Sequence, residues 1–123
     1  MVSQLYRLGY LPLVTLGHTK EIDIVIENPN TGKAITVDVK GLKRGSGNWL
    51  VNLKRVDALH FFVFVYFKDG LDAIQYAPQI FVVPSTELGA LLHRSPTNDL
   101  PWANPSDLSN YENKWELLDR ALN

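Results

Sequence analysis

Two stretches of the chain alternate branched apolar residues with other residues, Ile22–Glu27 (IDIVIE) and Ala34–Lys40 (AITVDVK). A period of two is the mark of a β-strand with one buried face. Between them NPNTGK brings Pro, two Asn and a Gly together, which is turn chemistry. His60–Lys68 (HFFVFVYFK) does not alternate: it is apolar on both faces and predicts a central strand. Gln79–Val83 predicts the next strand, ended by Pro84, and Trp49–Leu53 a short one through Trp49, Val51 and Leu53. Tyr10–Leu16 predicts an apolar strand whose Pro12 suits a sheet edge. Gly41–Asn48, with three glycines, predicts a loop, and Arg55–Leu59 a helical turn.

Helical spacing marks the ends of the chain. Residues 3–8 predict the tail of a helix with Leu5 and Leu8 apolar and Gly9 as its stop. Ser85 offers an N-cap, with Glu87 in the first turn, for a helix to about His93. Residues 95–107 (SPTNDLPWANPSD) predict a Pro-rich surface loop. Ser109 and Glu112 have the spacing of a capping box, and Tyr111, Trp115, Leu118 and Leu122 fall on one helical face behind it. The order predicts one domain over residues 1–123, of α/β or α+β class, with a central mixed sheet flanked by helices.

Pairing the first two strands as a hairpin centred on Asn30 and Thr31 sets Ile22 opposite Val39, Ile24 opposite Val37, and Ile26 opposite Ile35. All the branched apolar residues then share one face, predicted to lie beneath a helix. The same register sets Asp23 opposite Asp38, with Lys40 one step along on the same side. Opposed carboxylates repel unless something offsets them. A divalent cation does so, since Mg²⁺ takes one or two carboxylates with waters and phosphate oxygens. The other reading is an exposed sheet face kept soluble by its charges.

Composition and charge narrow the setting. Of 123 residues 46% are hydrophobic and 20% charged, enough for a packed core. The longest apolar run, Phe61–Phe67, falls far short of the roughly 18–20 residues of a membrane span. No cysteine is present, which excludes disulfides and thiolate metal sites and fits a cytoplasmic setting. The net charge of −1 divides into +3 over residues 1–70 and −4 over residues 71–123. Lys40, Lys43, Arg44, Lys54 and Arg55 occur in a stretch without an acid, which is either a phosphate-facing patch or a solvated loop. His18, His60 and His93 lack metal-ligand spacing, Ser46 and Ser85 lack the setting of a nucleophile, and GLKRGSG lacks the ending of a phosphate-binding loop.

Asp23, followed fifteen residues later by Asp38-Val39-Lys40 on the next predicted strand, resembles the core of the PD-(D/E)XK nuclease superfamily. Ile22 stands where the family pattern has Pro. GYLPLVTLGHTKEIDIVI is similar to the approach and first strands of small prokaryotic members, FFVFVYF with QIFVVPS to the later strands, and NYENKWELL to the closing helix. The likeness spans nearly the whole chain and implies a restriction-endonuclease-like fold. The family usually begins with a longer first helix that often brings a further acid; no acid precedes Glu21, so either the start lies upstream of Met1 or the first helix is short and that acid is lost.

The activity implied is metal-dependent hydrolysis of phosphodiesters, with Asp23, Asp38 and Lys40 as catalytic residues. Asp23, Asp38 and the Val39 carbonyl would hold Mg²⁺ or Mn²⁺. Lys43, Arg44 and Lys54 would hold flanking phosphates of nucleic acid, DNA being expected, and a homodimer is the expected assembly. Trp49 would either stack on a base or pack in the core. The alternative is a module of the same fold that has lost catalysis and binds nucleic acid or a protein partner.

Overall fold

The hydrophobic alternation resolves, in a computed structural model, into a five-stranded mixed sheet with a core on each face. The structure describes residues 11–14, 24–43, 47–53, 55–68, 77–97 and 100–123. Strands β1 (Leu11–Val14), β2 (Ile24–Glu27), β3 (Ala34–Lys43), β5 (His60–Phe67) and β6 (Gln79–Pro84) lie in the order β1-β2-β3-β5-β6. The first three pair antiparallel, β3 and β5 pair parallel, and β6 returns antiparallel to β5. Parallel β3 and β5 need a crossover. It carries β4 (Trp49–Leu50), which pairs with β7 (Trp102–Ala103) in a separate two-stranded sheet.

The hairpin register is the one read from the sequence. Ile24 faces Val37 and Ile26 faces Ile35. Ile24, Ile26, Ile35 and Val37 are buried and Val39 is partly buried, all on one face with Phe61, Val63, Ile80 and Val82. Helix α2 (Glu116–Leu122) covers this face with Leu118 and Leu122. Burying each such side chain contributes roughly 1.5–3 kcal/mol. Ile22 lies outside the described residues.

The hairpin turn also holds the end of α2. Asn28 Nδ2 donates to the Leu122 carbonyl at 3.0 Å, and Thr31 Oγ1 donates to the same oxygen at 2.7 Å. A carbonyl that the helix leaves without a partner is thereby satisfied. Asn28 Oδ1 accepts from the Asn30 amide at 2.9 Å, closing the turn locally, and Gly32 takes the positive φ of 73° that completes it.

The second face of the sheet is also covered. Phe62, Phe64, Phe81, Val83 and Leu42 pack with Trp49, Val51, Leu88, Ala103 and Leu108. Two cores explain why β5 is apolar on both sides: it sits between β3 and β6 with a layer over each face.

Several local expectations are corrected. Strand β3 runs three residues past Lys40, through Gly41 and Leu42 to Lys43, because β5 continues beside it as far as the Lys43–Phe67 pair. The strand beginning at Trp49 ends at Leu50. Residues 57–59 form a turn, not a helix. Ser85 does not cap: its hydroxyl donates to the Asp57 carbonyl at 2.7 Å and accepts from the Asp57 amide at 3.1 Å. Helix α1 (Ser85–Leu88) instead follows Pro84 and gives way to a 3-10 turn at Gly89–Leu91. The capping box belongs to Asn104 and Asp107, at the head of a 3-10 helix, Pro105–Tyr111. That helix ends before α2 begins, so Tyr111 packs with the second core, whereas Trp115, Leu118 and Leu122 pack with the first. The expected helix over residues 3–8 lies outside the described residues.

Candidate functional site

Alternation along β3 sorts the site. Odd residues Ile35, Val37 and Val39 join the core beneath α2, so even residues Thr36, Asp38, Lys40 and Leu42 turn to the second face. The parallel register sets Thr36 beside His60, Asp38 beside Phe62, Lys40 beside Phe64 and Leu42 beside Tyr66. Asp38 and Lys40 are thus same-face neighbours along one strand, about 6.6 Å apart by strand rise.

Asp38 is only 8% exposed and Lys40 is half-buried. The reading of this face as a solvated one is overturned at Asp38. A carboxylate held among aromatic side chains needs a cation or hydrogen-bond donors to stay charged.

Trp49 packs. It is 3% exposed, with ring centroids 5.0 Å from Phe64, 6.0 Å from Phe81 and 6.3 Å from Tyr66. Its indole N–H is buried and has no hydrogen-bond partner among the described residues. A depression of about 420 Å³ opens beside it, lined by Lys40, Gly41, Asn48, Trp49 and Leu50. A second, of about 530 Å³, is lined by Asn48, Leu50, Leu100 and Trp102. The two share Asn48 and Leu50.

His60, on the same face as Asp38, is 1% exposed, and its Nδ1 lies 2.6 Å from Thr36 Oγ1. Burial, reinforced by the Arg55 charge, holds its pKa below the ordinary 6.5. The Arg55 guanidinium in turn donates to Asp57 at 3.0 Å and, with the Leu59 amide, holds that carboxyl below its usual range. Arg55 is therefore spent on a local ion pair. His93 Nε2 pairs with Asp107 Oδ2 at 2.8 Å. The structural reading of both histidines agrees with these contacts.

The other expected site residues fall elsewhere. Asp23, Arg44, Lys54 and His18 lie outside the described residues, and of Lys43 only the backbone, at the end of β3, is described. Val39 turns its side chain to the core under α2. Among the described residues no group of three or more His, Asp or Glu is placed to hold a metal ion. Asn48, Leu50, Leu100 and Trp102 were not expected at the site. An aromatic residue stranded in a Pro-rich loop was the available signal for Trp102.

No protein-family model matches the chain, and no curated protein matches it. Solved structures do. One is the Holliday junction resolvase Hjc of Archaeoglobus fulgidus, an archaeal hyperthermophile, with a TM-score of 0.60 and 14% identity, covering 96% of this chain and 88% of that one. Another is the bacterial homing endonuclease I-Ssp6803I, with a TM-score of 0.58 and 18% identity, covering 98% of this chain and 84% of that one. The chain has the restriction-endonuclease-like fold of these nucleases, with a central mixed sheet, as the D…DxK pattern implies.

Proposed function

We propose that this chain is a single nuclease-like domain that hydrolyses phosphodiester bonds of nucleic acid, DNA being the expected substrate, with the help of a divalent cation. The observation that carries the reading is Asp38, a carboxylate more than nine-tenths buried, set one step along the same sheet face from Lys40, which itself lines an open depression.

The fit to a divalent cation rests on hard oxygen donors. Asp38 supplies one, and the Val39 carbonyl a neutral one. The proposal extends the β2–β3 register by one pair, which adds Asp23 opposite Asp38. Bound there, Mg²⁺ or Mn²⁺ supplies charge for the phosphate and acidifies a water. Lys40 carries a positive charge at the depression, where it neutralises a phosphate oxygen or orients the attacking water. Lys43, Arg44 and Lys54 hold neighbouring phosphates without reading bases. Cutting both strands of a duplex calls for two such sites, and the proposed assembly is a homodimer.

The test is cleavage of single-stranded and duplex DNA with and without Mg²⁺ or Mn²⁺. Asp23→Asn, Asp38→Asn and Lys40→Ala are each expected to abolish it. The Asp variants should lose Mn²⁺ binding, whereas Lys40→Ala should keep it. A second reading, a silent module of the same fold, rests on Asp38 being the one described carboxylate at the site. It predicts salt-sensitive nucleic-acid binding with no cleavage by the wild-type chain.

A further inference from the structure

We propose that the outer face of the small β4–β7 sheet is a stacking platform for one unpaired nucleobase, next to the phosphate that Lys40 holds. The inference rests on the nuclease reading and names the form of nucleic acid that this site selects.

The sheet has two cross-strand pairs with opposite fates. Trp49 and Ala103 face inward, 3% and 0% exposed. Leu50 and Trp102 face outward, Leu50 at 59% exposed and Trp102 half-buried. Leu100, 44% exposed, joins them. Together with Asn48 they line the larger depression, and Leu50 and Asn48 continue into the one that holds Lys40. A cation at one end and a flat apolar surface at the other is the complement of a nucleotide, whose anionic phosphate and planar base are joined through a sugar. Asn48, between the two, offers an amide donor and acceptor to a base edge or sugar.

Trp102 is braced for this use. Its ring stacks on His93, with centroids 5.7 Å apart and planes 22° apart. The His93 imidazole is held by Asp107 at 2.8 Å, and the His93 and Trp102 backbones exchange hydrogen bonds of 2.8 and 3.0 Å. Asp107 is itself fixed by accepting from the Asn104 amide at 2.8 Å. The ring is ordered before anything binds, so little entropy is lost when a base stacks on it. His93 takes one ring face, while the ring also borders the depression. A base inside a duplex is already stacked on both sides, so only an unpaired base can use the platform.

The experiment measures binding of the full chain, in EDTA to prevent cleavage, to a single-stranded oligonucleotide, the same strand with abasic sites, and the matching duplex. Trp102→Ala should weaken single-strand binding about 5- to 100-fold, the range of one lost stacking contact. Trp102→Phe should restore most of it, and the duplex and abasic strand should be insensitive to both. A 2-aminopurine base in the strand should be quenched on binding wild type and not on binding Trp102→Ala. Unchanged single-strand affinity in a folded Trp102→Ala chain, or an equal loss on duplex, overturns the platform. So does a change of oligomeric state in Leu50→Ser without nucleic acid, which would assign the face to a second copy of the chain. Trp102-dependent binding without metal-dependent cleavage overturns hydrolysis and leaves the platform standing. Cleavage indifferent to Trp102 does the reverse, and no nucleic-acid binding overturns both.

Discussion

Asp38 is a buried carboxylate on a sheet face that also carries Phe62, Phe64, Phe81 and Trp49. Trp49 is a large ring well packed on three aromatic neighbours, with an N–H that has no partner among the described residues. Trp49→Phe keeps a ring and discards the donor, so chemical denaturation should show a loss well below that of Trp49→Ala, which should be about 3–5 kcal/mol. His60 sets a pH dependence. Its folded pKa lies below the ordinary 6.5, so between those values the unfolded chain holds the extra proton. Its contribution is intact above about pH 6.5 and falls as the pH drops through that window, by at most about 1.4 kcal/mol per unit. The Tm of wild type should therefore fall between pH 7.5 and 5.5 more steeply than that of His60→Asn. Asp57, close to His60 and with its own pKa lowered, acts only in a more acidic range.

The faces of the β2–β3 hairpin were legible, since its two-residue period gathers Ile24, Ile26, Ile35 and Val37 on one side, and the register centred on the turn is the one observed. Val37→Ala, at 0% exposure beneath α2, should cost on the order of 1–3 kcal/mol by denaturant titration. A negligible change would mean that the hairpin face is not the core. Other elements were not legible because distant partners decide them. Strand β3 outruns its apolar pattern because β5 pairs with it, and β4 and β7 are two-residue strands made by pairing across 50 residues of chain. The Ser109–Glu112 spacing imitates a cap, yet the carboxylate that caps is Asp107, three residues after Asn104. Ser85 is drawn from its expected cap by the turn at Asp57.

At the scale of the molecule, the fold was visible from a spacing of acids and a strand order, and the structural likeness to two nucleases agrees with it. The charged residues of the proposed site, Asp38 and Lys40, are drawn from the sequence pattern, whereas its proposed apolar part, with Leu50 and Trp102, depends on a pairing that no local pattern records. Lys40 on β3 and Leu50 on β4 line one depression. The central claim is that Asp38 serves a metal. The direct measurement is the Tm of wild type and Asp38→Asn, titrated with Mn²⁺ and paired with a DNA cleavage assay on the same samples. Wild type should be stabilised by the ion and cut DNA only when it is present. Asp38→Asn should stay folded, gain no stability from the ion and cut nothing. A folded Asp38→Asn chain that responds to Mn²⁺ and cleaves as wild type does would contradict the account.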